Sequence, residues 1–365
     1  MPGAFSGVPG AVVDDGVLRH AGDPMREQRA LVRGTAIAPR GDRRVLAVTG
    51  EDRLTWLDSI TSQALAQLPT GRSTELLVLD PQGRVEHVAG VVDDGETTWL
   101  FVDADDAAGL LTFLTRMRFR LRVAPRDASD EYAIVSVTDD GMGLLRPAAP
   151  SGPAVVWRDP WPDVTEGGAA YAHPDDHPGD DWRWNDALVD AAEQDRLASL
   201  AAAGELTVAG ALAVDALRVA AWRPRWRDEV DERTIPHELD WLRTAVHLDK
   251  GCYRGQETVA KVHNLGHPPR RVIALHLDGS AESLPRRGDV VLSGGAEIGR
   301  ITSAARHYED GPIALAVVKR TADTDVDLVV QTEDGDVAAS ATTVVPKDAG
   351  ATAGVPRLPR LSRRR

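Results

Sequence analysis

Between Arg270 and Val345 the chain reads as six short β-rich runs, RRVIALHL, DVVLS, EIGRITSAA, IALAVVK, DLVVQT and ASATTVV, separated by Gly and Asp turns. Runs this short, rich in Val, Ile and Thr and punctuated by turn residues, are strands rather than helices. Strands so closely spaced must pair with one another and hide their edges, because an open edge is a template for aggregation. A small closed or sandwich-like β domain over 270–346 follows.

That domain cannot be the whole protein. A single core stops growing near ~250 residues, and the chain has 365. It is 42% hydrophobic and 27% charged, a globular composition. It holds no apolar run of the ~18 residues that span a bilayer. One cysteine precludes an intramolecular disulfide, and the opening MPGAFSGVPGAVVDDGV lacks both a basic segment and a sustained apolar core of a leader, so a cytoplasmic protein is expected. The net charge of −14 opposes general nucleic-acid binding, which relies on Lys and Arg neutralising phosphates.

The remaining chain divides by pattern. Residues 1–28 carry Gly and Pro without periodicity and are expected to form a flexible arm. Over 29–138, Arg44 to Val48 reads as a strand, and Asp52 as the cap of a helix carrying Leu54, Leu57, Ile60 and Leu65 and ended by Pro69 and Gly71. Leu76 to Leu79 and Arg84 to Val92 form a hairpin around the turn Asp80-Pro81-Gln82-Gly83, a third strand covers Thr97 to Val102, and a helix covers Ala104 to Phe119. This alternation is an antiparallel α+β domain. A second α+β domain, 139–269, begins with loops rich in Pro, Gly, Asp and Trp, then has helices over Asp186 to Ala203 and Val208 to Trp222. The tail 347–365 has six basic residues against one acidic and is expected to be disordered.

Three stretches carry chemistry-bearing residues. The run 173-HPDDHPGDD-181 offers His173, Asp175, Asp176 and His177, but two prolines and no regular scaffold make it a solvated acidic loop. His263 and His267 have the spacing of helical zinc ligands, yet Gly266 and Pro268 break a helix there. The third, 250-KGCYRGQETVAK-261, holds the sole cysteine, Cys252, between Lys250 and Arg254, cations that favour the thiolate, and between Gly251 and Gly255, which permit close backbone approach. The alternative is that Cys252 is a small buried hydrophobe, the commoner fate of a free cysteine.

Lys250-Gly251-Cys252-Tyr253-Arg254-Gly255-Gln256-Glu257 resembles the K-G-C-[FY]-x-G-Q-E signature of the YgfZ family of folate-binding proteins, relatives of the glycine-cleavage T-protein. The stretch 49–85, with its Leu79-Asp80-Pro81-Gln82-Gly83-Arg84 hairpin, resembles that family's opening, and 218-RVAAWRP-224 with Ile235-Pro236-His237-Glu238 resembles its R-x-E-x-G-x-P and P-x-E elements. The resemblance implies two interlocked α+β domains around a folate channel, with a C-terminal antiparallel β-barrel. It implies tetrahydrofolate or another reduced folate as cofactor, with Lys250, Gly251, Tyr253, Arg254, Gly255, Gln256, Glu257, Arg218 and Glu238 as binding residues and Cys252 as a functional thiol. It further implies an accessory role in assembling or maintaining iron-sulfur proteins, including tRNA-modifying enzymes. Those proteins or their assembly machinery are the expected partners, without membrane or direct nucleic-acid binding. A tetrahydrofolate-dependent aminomethyltransferase or demethylase is the alternative, and an RNA-associated adaptor using the basic tail ranks last. Ala220 stands where aminomethyltransferases carry the acid of R-x-E, and Gly83-Arg84-Val85-Glu86-His87-Val88 stands where they carry G-G-x-x-D-D. An aminomethyltransferase needs an acid there to handle the proton of the departing amine.

Overall fold

The computed structural model describes residues 4–173, 177–280 and 283–354. Within them the chain builds two five-stranded sheets and a closed six-stranded barrel, preceded by a small hairpin, Ala11–Asp14 with Val17–Ala21. The first sheet is antiparallel, in the order Ser73–Leu79, Val85–Asp93, Thr97–Asp103, Arg43–Thr49, Ala124–Asp127. The helix Ala104–Met117 covers one face with Ala107, Leu110 and Leu114, the helical spacing that its sequence carries.

The second sheet runs Val156–Arg158, Trp184–Asp190, Tyr132–Thr138, Ala36–Pro39, Thr207–Val208, with the last pair parallel. Ala36–Pro39 and Tyr132–Thr138 flank the first sheet in sequence, so the first sheet is an insertion between two strands of the second. This is the physical content of interlocking, and it moves the boundary expected at 138/139. The barrel strands Arg270–Leu277, Val290–Ser293, Ala296–His307, Gly311–Lys319, Leu328–Thr332 and Gly335–Thr343 coincide with the six runs. Closure comes from Arg270–Leu277 pairing on both sides, with Gly311–Lys319 and Gly335–Thr343.

Four local expectations are corrected. The expected arm 1–28 is held over its described residues, 4–28: Phe5 and Val8 are buried, and Asp23 caps the helix Pro24–Val32 through Met25 N and Arg26 N. Glu27 of that helix accepts from Ala21 N at 2.7 Å and Gly210 N at 2.9 Å, while Gln28 bonds Arg306 O and Tyr308 N of the barrel. The helix beginning after Asp52 ends at Ile60 instead of reaching Pro69. Beyond it Ser62 and Gln63 bond the Ala245 and Thr244 carbonyls, a tertiary alternative that the apolar spacing could not reveal. Trp184–Asp190 is a strand, and the helix follows only at Ala191–Ala202, because Asp190 caps it by accepting from Glu193 N.

The fourth concerns the tail, whose first part is docked. Ala349 is buried, its carbonyl meets His267 Nδ1 at 2.8 Å, and Thr352 N and Ala353 N donate to the His263 and Asn264 carbonyls. These bonds satisfy carbonyls at the end of the helix Gln256–Leu265, which otherwise lack partners. Residues 355–365 lie outside the described residues. One core cluster gathers Leu77 and Val85 of the first sheet, Trp184 of the second, and Val272 and Leu315 of the barrel, so the three units share a continuous interior. Removing 347–365 should therefore lower stability by about 1–3 kcal/mol, whereas a chain ending at Gly354 keeps every contact named. Melting temperatures of the two truncations check this, with about 2–4 °C per kcal/mol in a structure of this size.

Candidate functional site

The loop 250–255 is placed by close contact with the first sheet. Gly255 has φ of +84° and precedes the helix Gln256–Leu265. A Cβ there would lie 2.6 Å from the Asp80 carbonyl oxygen and 3.0 Å from the Gly83 Cα. The Gly of the cysteine signature and the Gly of the Asp80–Gly83 turn thus meet backbone to backbone, which only glycine permits. Lys250 is buried, and its ammonium donates to the carbonyls of Asp58, of Thr61 at 2.9 Å and of Gln63 at 2.7 Å, closing the end of the helix Arg53–Ile60. Gln256 Nε2 returns to the Lys250 carbonyl at 3.2 Å. Tyr253 is buried beneath the ammonium, and burial pushes its phenol pKa upward.

Cys252 itself is exposed, so the buried-hydrophobe reading falls. Gly251 and Glu257 are exposed beside it. Arg254 forms a surface pair with Glu86 at 2.7 Å. Lys250 is thus committed to holding the loop, leaving Arg254 the more accessible cation. Arg218 and Glu238 are structural pins. Arg218 meets Glu229 at 3.0 Å, Asp228 at 3.1 Å and, across to the barrel, Ser303 Oγ at 2.8 Å. Glu238 is fully buried against Arg270, the first residue of the barrel, at 2.8 Å.

Where the two sheets face the stretch 218–226, a cavity of about 60 Å³ opens among Trp157, Trp182, Trp184, Trp226 and Trp241. Paired charges close around it. Arg223 bridges Glu75 at 2.6 Å and Asp159 at 2.9 Å, and Arg225 bridges Asp42 at 2.7 Å and Asp103 at 2.9 Å. Burial raises the Glu75 pKa, opposed by the Arg223 guanidinium. Burial also acts on Asp103, but Arg225 and Arg43 outweigh it and hold that carboxyl low. Four lining residues carry buried N–H groups with no hydrogen-bond partner among the described residues: Arg43 Nε, Arg218 Nε, Arg223 Nη1 and Trp241 Nε1. Donors left so are costly unless a guest accepts from them.

Trp182 and Trp184 stack with centroids 4.7 Å apart and planes 9° from parallel. They wall a second cavity of about 410 Å³, whose other sides include Leu217, Ala220, Tyr308 and Asp181. Ala220 presents no acid to it. On the strand Val85–Asp93, Val88 lines the inner cavity, while His87 turns away to Asp106 on the helix Ala104–Met117. His177, expected on a solvated loop, is buried beside Arg243, which lies over the Trp161 ring. His263 stacks on Tyr171, and His267 binds the Ala349 carbonyl, so the pair shares no metal site. Asp175 and Asp176 lie outside the described residues. Among the described residues no three His, Cys, Asp or Glu groups gather to hold a metal, and no helix is long and apolar enough to cross a membrane.

The family model for the glycine cleavage T-protein C-terminal barrel domain matches residues 270–347. An aminomethyltransferase of Streptomyces avermitilis is 26% identical over 289 residues, 75% of each chain. The crystal structure of glycine cleavage system aminomethyltransferase T from Bartonella henselae superposes with a TM-score of 0.70 at 15% identity, over 93% of this chain and 94% of that one. The chain has the glycine-cleavage T-protein fold. A tRNA-modifying protein YgfZ of Aliivibrio fischeri is 33% identical over 114 residues, 30% of this T-protein-like chain and 35% of that protein.

Sequence reasoning reached Arg218 of this T-protein-like centre but missed Arg223, Arg225 and the tryptophans. The available signal was composition: five of the chain's nine Trp line the inner cavity, all between residues 157 and 241. Two predictions follow from the burial of charge. Arg225→Met leaves Asp42 and Asp103 buried without this partner and should cost about 3–5 kcal/mol, read by denaturant unfolding. Burial also lowers the pKa of His177 to about 3 and of His237 to about 4, against an ordinary 6.5. Between those values the unfolded chain binds more protons, so their contribution is complete above pH 6.5 and is lost as pH falls, by up to about 1.4 kcal/mol per unit for each ring. Asp240, raised to about 6 by burial, acts in the opposite sense below that pH. His237→Gln should flatten the acid limb of the stability profile.

Proposed function

We propose that the chain binds a reduced folate in the paired cavities and serves as an accessory factor for iron-sulfur proteins, without performing aminomethyl transfer. The observation that carries this reading is the Trp182–Trp184 stack, which divides a 410 Å³ cavity from an inner one edged by unpartnered donors of Arg43, Arg223 and Trp241. A pterin is planar and offers carbonyl and ring-nitrogen acceptors, so it can lie on indole and receive those N–H groups. The larger cavity is on the scale of small-molecule sites, about 300–1,000 Å³. Bound tetrahydrofolate would supply a carrier for one-carbon units. The residues of this chain would bind and orient it and exclude water.

His87 and Val88 weigh against transfer, because the hairpin there supplies no acid to handle the proton of a departing amine, and Ala220 leaves out the acid that the aminomethyltransferase pattern sets against the pterin. The three-quarter-length similarity to an aminomethyltransferase favours the transferase or demethylase as second reading. The iron-sulfur role draws on the cysteine signature, on the exposure of Cys252 and on the partial similarity to a tRNA-modifying protein. A lone thiolate supplies one of the four ligands of a typical cluster, so the clients would be other proteins.

Calorimetry with tetrahydrofolate, 5-formyl-tetrahydrofolate and oxidised folate tests binding. Micromolar affinity for the reduced forms, about −8 kcal/mol, is expected. Trp184→Ala should weaken it about tenfold, as loss of one aromatic contact does. Absence of heat with every folate overturns the reading, and turnover of a methylamine donor would favour the transferase. Cys252→Ser should leave melting temperature and folate affinity unchanged, since the thiol is exposed. Cells carrying it should lose iron-sulfur enzyme activity as cells without the protein do, because a hydroxyl is neither a low-pKa nucleophile nor a soft ligand. Full activity in that variant would remove Cys252 from the function.

A further inference from the structure

In a chain of net charge −14, the stretch 116-RMRFRLR-122 sets four arginines alternately with apolar residues. It forms the turn between the helix Ala104–Met117 and the strand Ala124–Asp127. Phe119 is 79% exposed, and its φ of +43° is one that a non-glycine residue adopts at a cost. That left-handed residue ends the helix just past its cap Arg118, and it turns the ring out to solvent. Leu121 is exposed beside it. Arg122 is paired with Glu51 and Asp52, but Arg116, Arg118 and Arg120 are exposed and make no ion pair among the described residues.

The turn is continuous with the cysteine loop. Arg116 and Arg254 line one broad recess of about 760 Å³, with His87, Phe113 and Glu86 between them. Arg254 lies two residues beyond Cys252. A partner seated on the turn and recess would therefore lie beside the exposed thiol.

We infer that this face docks a protein partner through a segment that presents carboxylates between apolar side chains. Charge complementarity requires an anionic occupant, and the alternation of guanidinium with Phe119 and Leu121 requires apolar groups at residue spacing. Arginine and aromatic rings are the side chains that most often anchor protein interfaces. A nucleic acid fits less well: the unpaired arginines are three, and a phosphate track leaving them would meet Glu51, Asp52 and Glu86 and a strongly negative chain. That the partner is a client protein rests on the accessory reading. The docking chemistry is read from the surface alone.

Because Cys252 is the sole cysteine, a fluorophore attached to it reports on this face of the full chain. The probes are a short synthetic peptide alternating glutamate with leucine and phenylalanine, its lysine-for-glutamate counterpart, a single-stranded RNA oligonucleotide, and phosphatidylserine vesicles. The acidic peptide should bind, weaken as salt rises towards ~0.15 M, where the Debye length falls to about 8 Å, and outcompete the other three. Arg118→Glu with Arg120→Glu, and separately Phe119→Ala, should each weaken it about tenfold or more, with melting temperatures unchanged because these side chains are exposed. Peptide binding that is absent, or equal in wild type and both variants, overturns the proposal, as does preferential binding of RNA or vesicles. Folate calorimetry on the same proteins separates the two readings. Folate binding with no peptide binding sinks the docking face alone, and peptide docking with no folate binding sinks the folate reading alone.

Discussion

The arrangement of the molecule depends on guanidinium groups that have left water. Arg218, Arg223 and Arg225 come from one stretch of eight residues and between them tie the units together: Arg218 reaches Ser303 in the barrel, Arg223 reaches Glu75 in the first sheet and Asp159 just after the Val156–Arg158 strand of the second, and Arg225 reaches Asp42 and Asp103 at one end of the first sheet. A buried charge is tolerable only with its partner in place, so the units cannot shift independently without stranding one. Apolar contacts supply the bulk of the cohesion through the shared core, but they accept sliding. Directional ion pairs do not. They specify one relative placement of two sheets and a barrel.

That placement creates the candidate site as a by-product of closure. The same arginines that join the units edge the inner cavity, and the tryptophans that fill the seam become its aromatic walls. Position 88 on the strand Val85–Asp93 and position 220 on the helix Ala211–Ala220 each line one of the two cavities, and both are aliphatic. The carboxylates that do line the inner cavity, Glu75, Asp159 and Asp103, are engaged by Arg223 and Arg225. The sole thiol lies on the surface, at Cys252, whose loop is moored by Lys250 and by the Gly255–Gly83 contact. The inner cavity and the exposed thiol are thus physically separate, joined by the hairpin that contacts both.

Legibility varied with the range of the interactions involved. The barrel strands were plain because alternation and turn chemistry act over a few residues. The cysteine signature placed Lys250 in a ligand-binding loop, but the partners of its ammonium, the carbonyls of Asp58, Thr61 and Gln63, lie nearly two hundred positions away and could not be read from its neighbours. The helix expected through Leu65 stopped at Ile60 because Ser62 and Gln63 found partners at Ala245 and Thr244. His177 looked solvated in a run of Pro and Asp, and its burial beside Arg243 and Trp161 came from across the fold.

By itself the sequence determined the α+β character, the six strands of the C-terminal domain and the position of the sole thiol, since each is a local property of residue type and spacing. The tertiary structure alone decided which strands share a sheet, that the arm and the first part of the tail are held, that Arg218 and Glu238 are pins, and that five tryptophans and unpaired donors meet in one cavity. The reason is that burial, desolvation and charge pairing belong to a place in the fold. Residues far apart along the chain acquire them together only when the chain has closed.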